Sequence, residues 1–212
     1  EEDGRRFFHY KMDQKIHNLF AFVSARYEVI REEWNGINLE VYHHPTHTYN
    51  VDKLMEGMKK SIEYYNELYG PYPYRQCRIL EFPYGSYAAS FPNTIPFSEN
   101  IGFVLDVNPD DTEDLDMPFW VTAHEMGHQL GLFHTSARGG TSFDILSDTP
   151  ECAISRDSDS SGTVSAEECD GYGGDNLMFW NALSSSSQAA GKKQGTLSSN
   201  QQHVLKYSPM AN

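Results

Sequence analysis

HEMGHQLGLFH, residues 124–134, sets three histidines and a glutamate at intervals that carry both a local structure and a chemistry. The apolar residues of MPFWVTAHEMGHQLG (117–131) recur at helical spacing, so the stretch is expected to be one amphipathic helix. His124 and His128, four apart, then share a helix face and can reach one ion. Glu125 lies beside that pair, where it suits a base acting on water rather than a third ligand. Gly131 has no Cβ and can leave the helix at positive φ, which lets the chain bring His134 back to the same ion. Three neutral imidazoles would leave a zinc ion its full charge, and water on it would acidify toward a pKa of ~7. The expected catalytic ion is therefore Zn2+, with His124, His128 and His134 as ligands and Glu125 as general base.

Around this stretch, the 212 residues suit one domain built as two lobes, 1–131 and 132–212. With 39% hydrophobic and 13% aromatic residues the chain is of globular type, and no apolar run is long enough for a membrane span. A formal net charge of −14 argues against nucleic acid as a partner, since phosphate binding needs basic patches. The partner expected is a peptide or protein substrate, met by a monomer.

Upstream, 20–33 and 37–44 are β-rich and joined at Asn35-Gly36, a hairpin signal. In 51–70, Leu54, Met58, Ile62 and Tyr65 recur at helical spacing, and Gly70-Pro71 ends the run. CRILEFP (77–83) is expected as a strand, and YAASF and 95–107 as further extended segments, the latter an edge facing a cleft. Downstream, 135–176 is loop-rich, 184–195 is a low-complexity loop, and a Ser-capped helix stopped by Pro209 closes the chain.

DSDSSGTVSAEE (157–168) follows the D-x-D-x-S-G-x5-E pattern. Asp157, Asp159, Ser161, the Thr163 carbonyl and a bidentate Glu168 fall at ligand positions, and Gly162 at the sharp turn. Hard oxygen donors at that spacing suit Ca2+; the alternative is an acidic, solvated linker, the reading that also fits 106–116. Cys152 and Cys169 bracket the loop, as a disulfide worth about 3 kcal/mol or as two reduced thiols. Cys77 reads as a buried free thiol. A disulfide and a calcium loop together point to an extracytoplasmic or secreted setting, although EEDGRRFFHY has no apolar stretch of signal-peptide kind. HHPTH (43–47) reads as a polar turn, with no acid or cysteine near it in sequence.

HEMGHQLGLFH resembles the zinc signature of metzincin metalloproteases. SDTPEC (147–152) and NLMFW (176–180) resemble segments of their pappalysin-like and related bacterial branch. That resemblance covers 118–212 and implies a Met-turn with Met178 in the floor beneath the metal, a position an ordinary core methionine would also fill. The first half, with EFPYGSYAASFPNTIPFSENIGF and VTAHEMGHQ, is similar instead to bacterial gluzincin-type aminopeptidase domains. There the third ligand is a downstream glutamate, and its place here is held by Ser147. The chain thus reads as a chimera joined within a shared HExxH helix, whether by recombination, fusion or design. The aminopeptidase likeness also implies that Glu99, in FSEN (97–100), binds a substrate amine; otherwise it is a solvated edge carboxylate.

The resulting expectation is an α+β, zincin-like fold. A mixed twisted sheet lies over the HExxH helix, followed by an irregular C-terminal subdomain with a Met-turn and a terminal helix. A zinc endopeptidase is the leading functional expectation. An aminopeptidase steered by Glu99 and a metal-bound but catalytically silent module are the alternatives.

Overall fold

The computed structural model describes residues 4, 7–12, 15, 16, 22–108 and 116–207. It is an α+β fold with a four-stranded mixed sheet. Strands β1 (Glu28–Trp34) and β2 (Ile37–His43) form an antiparallel hairpin, and β2, β3 (Gln76–Phe82) and β4 (Thr94–Ser98) run parallel, in the order β1-β2-β3-β4. The hairpin turns at Asn35 (φ 50°) and Gly36 (φ 80°), two successive left-handed residues that match the strand twist. β1 starts later than the sequence pattern suggests: 22–27 is not strand, and 20–21 lie outside the described residues.

Parallel pairing of β2 with β3 needs a crossover, and helix α1 (Val51–Leu68) supplies it. Leu54, Met58, Ile62 and Tyr65 line one stripe of α1 and are buried, and Gly70 leaves the helix at φ 125°. The stripe meets Leu39 and Val41 of β2, Cys77 and Ile79 of β3 and Ile95 and Phe97 of β4. Each fully buried aliphatic side chain there contributes about 1.5–3 kcal/mol relative to exposure.

Helix α3 (Met117–Gln129) packs against α1. The approach is close: a Cβ on Gly57 would lie 3.2 Å from the Thr122 side chain. Asp116 caps α3 by accepting a hydrogen bond from the Phe119 N–H at 3.1 Å. The helix ends when Gly131 takes φ 101°, with the Leu132 N–H donating to the Gly127 carbonyl and the Gly131 N–H to that of His128. This Schellman arrangement reverses the chain where the three-histidine reading needs it.

Two expectations upstream are corrected. Residues 95–107 are not one extended segment: β4 stops at Ser98, and Glu99–Gly102 form a short helix, α2. Gly102 permits the fold-back, since a Cβ there would stand 3.0 Å from the Phe97 ring. Nor is the outer edge of β4 free. Residues 87–91 lie antiparallel along it, through Ser98 N–H to Tyr87 O, Ala89 N–H to Pro96 O and Phe91 N–H to Thr94 O.

After α3 the chain is irregular until α4 (Ser185–Ala189) and α5 (Ser199–Tyr207). The 184–195 stretch is thus not all loop, because the Ser184 hydroxyl caps α4 by accepting from the Ser187 N–H. Helix α5 starts on a capping box: Ser198 Oγ accepts from the Gln201 N–H at 3.1 Å, and Gln201 Oε1 from the Ser198 N–H at 2.8 Å. Pro209 and most of the first acidic run (109–115) lie outside the described residues.

Cys152 and Cys169 form a disulfide, and Cys77 is free and buried. A small second core of Cys152, Val164, Ala166, Cys169, Phe179 and Leu183 surrounds the bridge. Successive residues tie the two cores together: Met178 is buried in the first and Phe179 in the second. No helix among the described residues is long and apolar enough to cross a membrane.

Candidate metal centre

The reversal at Gly131 brings the three histidines together. His124 Nε2 lies 3.0 Å from His134 Nε2 and 3.1 Å from His128 Nε2. Nitrogens bound to one tetrahedral zinc at about 2.0–2.1 Å stand roughly 3.3 Å apart, so an ion fits with small ring adjustments. The opposite ring nitrogens are pinned. His124 Nδ1 donates to the Leu177 carbonyl and His128 Nδ1 to the Leu132 carbonyl, each at 2.7 Å. These bonds fix the tautomer and leave Nε2 lone pairs facing one another, which a shared cation relieves.

Burial keeps the rings neutral, as ligands must be. Desolvation, followed by the His128 and His134 rings, holds His124 well below the usual imidazole range. Desolvation lowers His128, and desolvation followed by the His128 ring takes His134 down to about 4. His134 is nonetheless the most exposed of the three, so the cluster opens to solvent on its side.

Glu125 is 5% exposed, and burial pushes its carboxyl up to about 8. Its Oε2 is buried without a hydrogen-bond partner among the described residues. A divalent cation beside it would oppose that shift by favouring the ionised form. Ser90, on the segment that lines β4, donates from Oγ to the Glu125 carbonyl at 2.7 Å, which sets 87–91 against the histidine helix.

Met178 is fully buried against α3: a Cβ on Gly127 would come within 2.6 Å of its sulfur. Its N–H donates to Asn176 Oδ1 at 2.8 Å, and Asn176 Nδ2 donates to Gln201 Oε1 at 2.8 Å. Helix α5 thereby braces the turn whose Leu177 carbonyl orients His124. Sequence reasoning missed these supports: Ser90, Leu177, Asn176 and Gln201. It also missed Trp120, stacked on His124 with ring centroids 5.1 Å apart. Only Trp120 left a sequence signal, its i, i+4 spacing to His124.

Glu99 opens α2, and its carboxylate lies within 4.8 Å of ligand atoms of His47 and Glu81. HHPTH is therefore not free of acids, because β3 and α2 deliver two of them from distant sequence. Ser147 is exposed and accepts from Asn200 Nδ2 at 3.3 Å.

Asp157, Asp159 and Glu168 also converge, their oxygens within 4.8 Å of one another. The Ser161 N–H donates to Asp157 Oδ1 and Asp159 Oδ1, and the Gly162 N–H (φ 79°) to Asp157 Oδ2. Glu168 accepts from the N–H and Oγ of both Ser158 and Ser165, and these bonds, led by the Ser165 N–H, hold its carboxyl down to about 2. The incoming element is the single short 3-10 turn Ile154–Arg156.

No family model matches the chain, and no curated protein matches it. Among solved structures, the crystal structure of Legionella pneumophila aminopeptidase A in complex with aspartic acid is similar over 50% of this chain, at 18% identity and a TM-score of 0.43. The matched part spans 13% of that longer chain. At that level the likeness assigns no chemistry, which rests here on the residues themselves.

Proposed function

We propose that the chain is a zinc-dependent metallopeptidase that cleaves internal peptide bonds. One observation carries this reading: three Nε2 atoms about 3 Å apart, two of them on rings whose Nδ1 is committed to a backbone carbonyl. The resemblance to metzincins over 118–212 agrees with it, as does Met178 packed beneath the histidine helix. The aminopeptidase likeness of the first half makes the chain a chimera of two zincin types, with lobes 1–131 and 132–212.

Zinc held by His124, His128 and His134 would supply Lewis-acid activation of water and of the scissile carbonyl. Glu125 takes the proton from water at its unpartnered oxygen and returns it to the leaving amine. The substrate backbone pairs with the outer edge of residues 87–91 by strand addition, in place of the 95–107 edge that β4 and α2 do not provide. Ser90 holds that edge in register with Glu125. Internal cleavage is favoured over removal of N-terminal residues because the Glu99 carboxylate gathers with His47 and Glu81, within 4.8 Å of their ligand atoms, and not with the three histidines.

The 157–168 loop holds Ca2+ through Asp157, Asp159, Ser161, the Thr163 carbonyl and Glu168, and the Cys152–Cys169 bridge frames it. Such a loop and bridge suit an extracytoplasmic setting. The deciding experiment uses an N-acetylated, internally quenched peptide library. Hydrolysis by the wild-type protein, lost in Glu125→Gln at unchanged zinc content, supports the reading. Cleavage confined to peptides with a free amino terminus would replace it with the aminopeptidase reading. No hydrolysis at full zinc occupancy would leave a silent metal-binding module.

A further inference from the structure

His47, Glu81 and Glu99 form a second cluster with metal-ligand character, at the carboxyl ends of the parallel strands. One ligand atom from each lies within 4.8 Å of the others. They arrive from three elements: the turn after β2, the penultimate residue of β3 and the first residue of α2. Glu81 is only 4% exposed, a depth at which a carboxylate is costly unless it is paired. Among the described residues it meets the His44 N–H and His47 Nδ1, and neither it nor Glu99 has a Lys or Arg ion pair. Two carboxylates sharing one site repel each other, and a single imidazole offsets one of them at most.

An independent feature points to the same place. The β2–β3 register sets Tyr42 opposite Leu80, so the next pair is His43 beside Glu81, both on the buried face. His43 is 1% exposed; its Nδ1 bonds the His44 carbonyl at 2.9 Å, while its Nε2 is buried with no partner. A buried ring nitrogen without a partner among the described residues, on the strand position that follows the last β2–β3 pair, is a second unsatisfied polar group at this end of the sheet.

We propose that His47, Glu81 and Glu99 hold a second divalent transition-metal ion, distinct from the one at the three histidines. One imidazole and two carboxylates make a mixed nitrogen and oxygen set, which suits zinc, manganese or ferrous iron better than calcium, an ion that takes oxygen alone. The ion staples the 44–47 turn and the start of α2 to the end of β3. Glu99 is then a structural ligand. The site stands whether or not the protein is a peptidase.

The test strips the full chain with a chelator, reloads it with zinc chloride, desalts it and counts zinc per chain by mass spectrometry, alongside thermal melting. Wild-type protein should retain two ions, and His47→Ala, Glu81→Gln and Glu99→Gln one each. His128→Ala should also keep one, and the His47→Ala/His128→Ala pair none. Because Glu81 is buried and its variant can fail to fold, His47→Ala and Glu99→Gln decide the matter. Wild-type count retained in both variants overturns the proposal, as does a single wild-type ion that vanishes in His128→Ala. A single wild-type ion lost in His47→Ala but kept in His128→Ala would uphold this site and refute the histidine triad instead.

Discussion

The histidine triad and the 157–168 loop both gather ligand atoms, but they are held in opposite ways. The triad is aimed from outside itself. The Leu177 and Leu132 carbonyls fix two of its rings, and Asn176, Gln201 and Met178 brace the turn that carries Leu177. The loop is aimed from within, its carboxylates turned onto the N–H groups of residues 158–165. A site supported by remote elements gains precision and depends on the whole fold. A self-supported loop keeps its shape locally and trades that stability against an ion.

That contrast can be broken by mutation, and the largest effect belongs to the carboxylate that follows the first histidine of the triad. Glu125→Gln should lower kcat for peptide hydrolysis by roughly 10²–10⁴-fold, with zinc content by mass spectrometry unchanged. Removing the bridge comes next. Cys152→Ser with Cys169→Ser should cost about 3 kcal/mol in urea unfolding, and should weaken the calcium-dependent rise in Tm because the loop loses its frame. Activity should survive under conditions where the protein stays folded.

Gly131→Ala separates a turn that serves the metal from one that serves only the fold. Its φ of 101° strains any side chain, at a cost of about 1–2 kcal/mol, and it swings His134 away. Zinc affinity and stability should therefore fall together. Gly36→Ala in the hairpin, at φ 80°, should lower Tm while zinc affinity stays level. The smallest effects are local. Glu168→Gln should abolish the Tm difference between calcium and EGTA without touching hydrolysis. Ser90→Ala should cost about 1 kcal/mol, seen as a rise in KM if residues 87–91 receive the substrate strand.

Much of this was legible in sequence wherever one short stretch carries the whole instruction. The 3.6-residue spacing in α1, Asn35-Gly36, Gly131 in HExxHxxGxxH and the 12-residue loop each specify their own geometry. The α+β class followed from them. Where the outcome depends on distant segments, sequence was silent. The stop of β4 at Ser98 depends on Gly102 folding back over Phe97, and the loss of its free edge on residues 87–91. Glu81 looked like an ordinary strand residue, yet the β2–β3 register and the turn at Pro45 set it against His47. Likewise nothing in NLMFW states that the Leu177 carbonyl orients His124, since backbone oxygens leave no mark in a sequence.

Anomalous diffraction from zinc-loaded crystals, collected on both sides of the zinc absorption edge, tests the central claim most directly. A peak within bonding distance of Nε2 of His124, His128 and His134, with Glu125 outside the coordination shell, is the result expected. No peak among those rings, or one completed by another residue with His134 turned away, would contradict it.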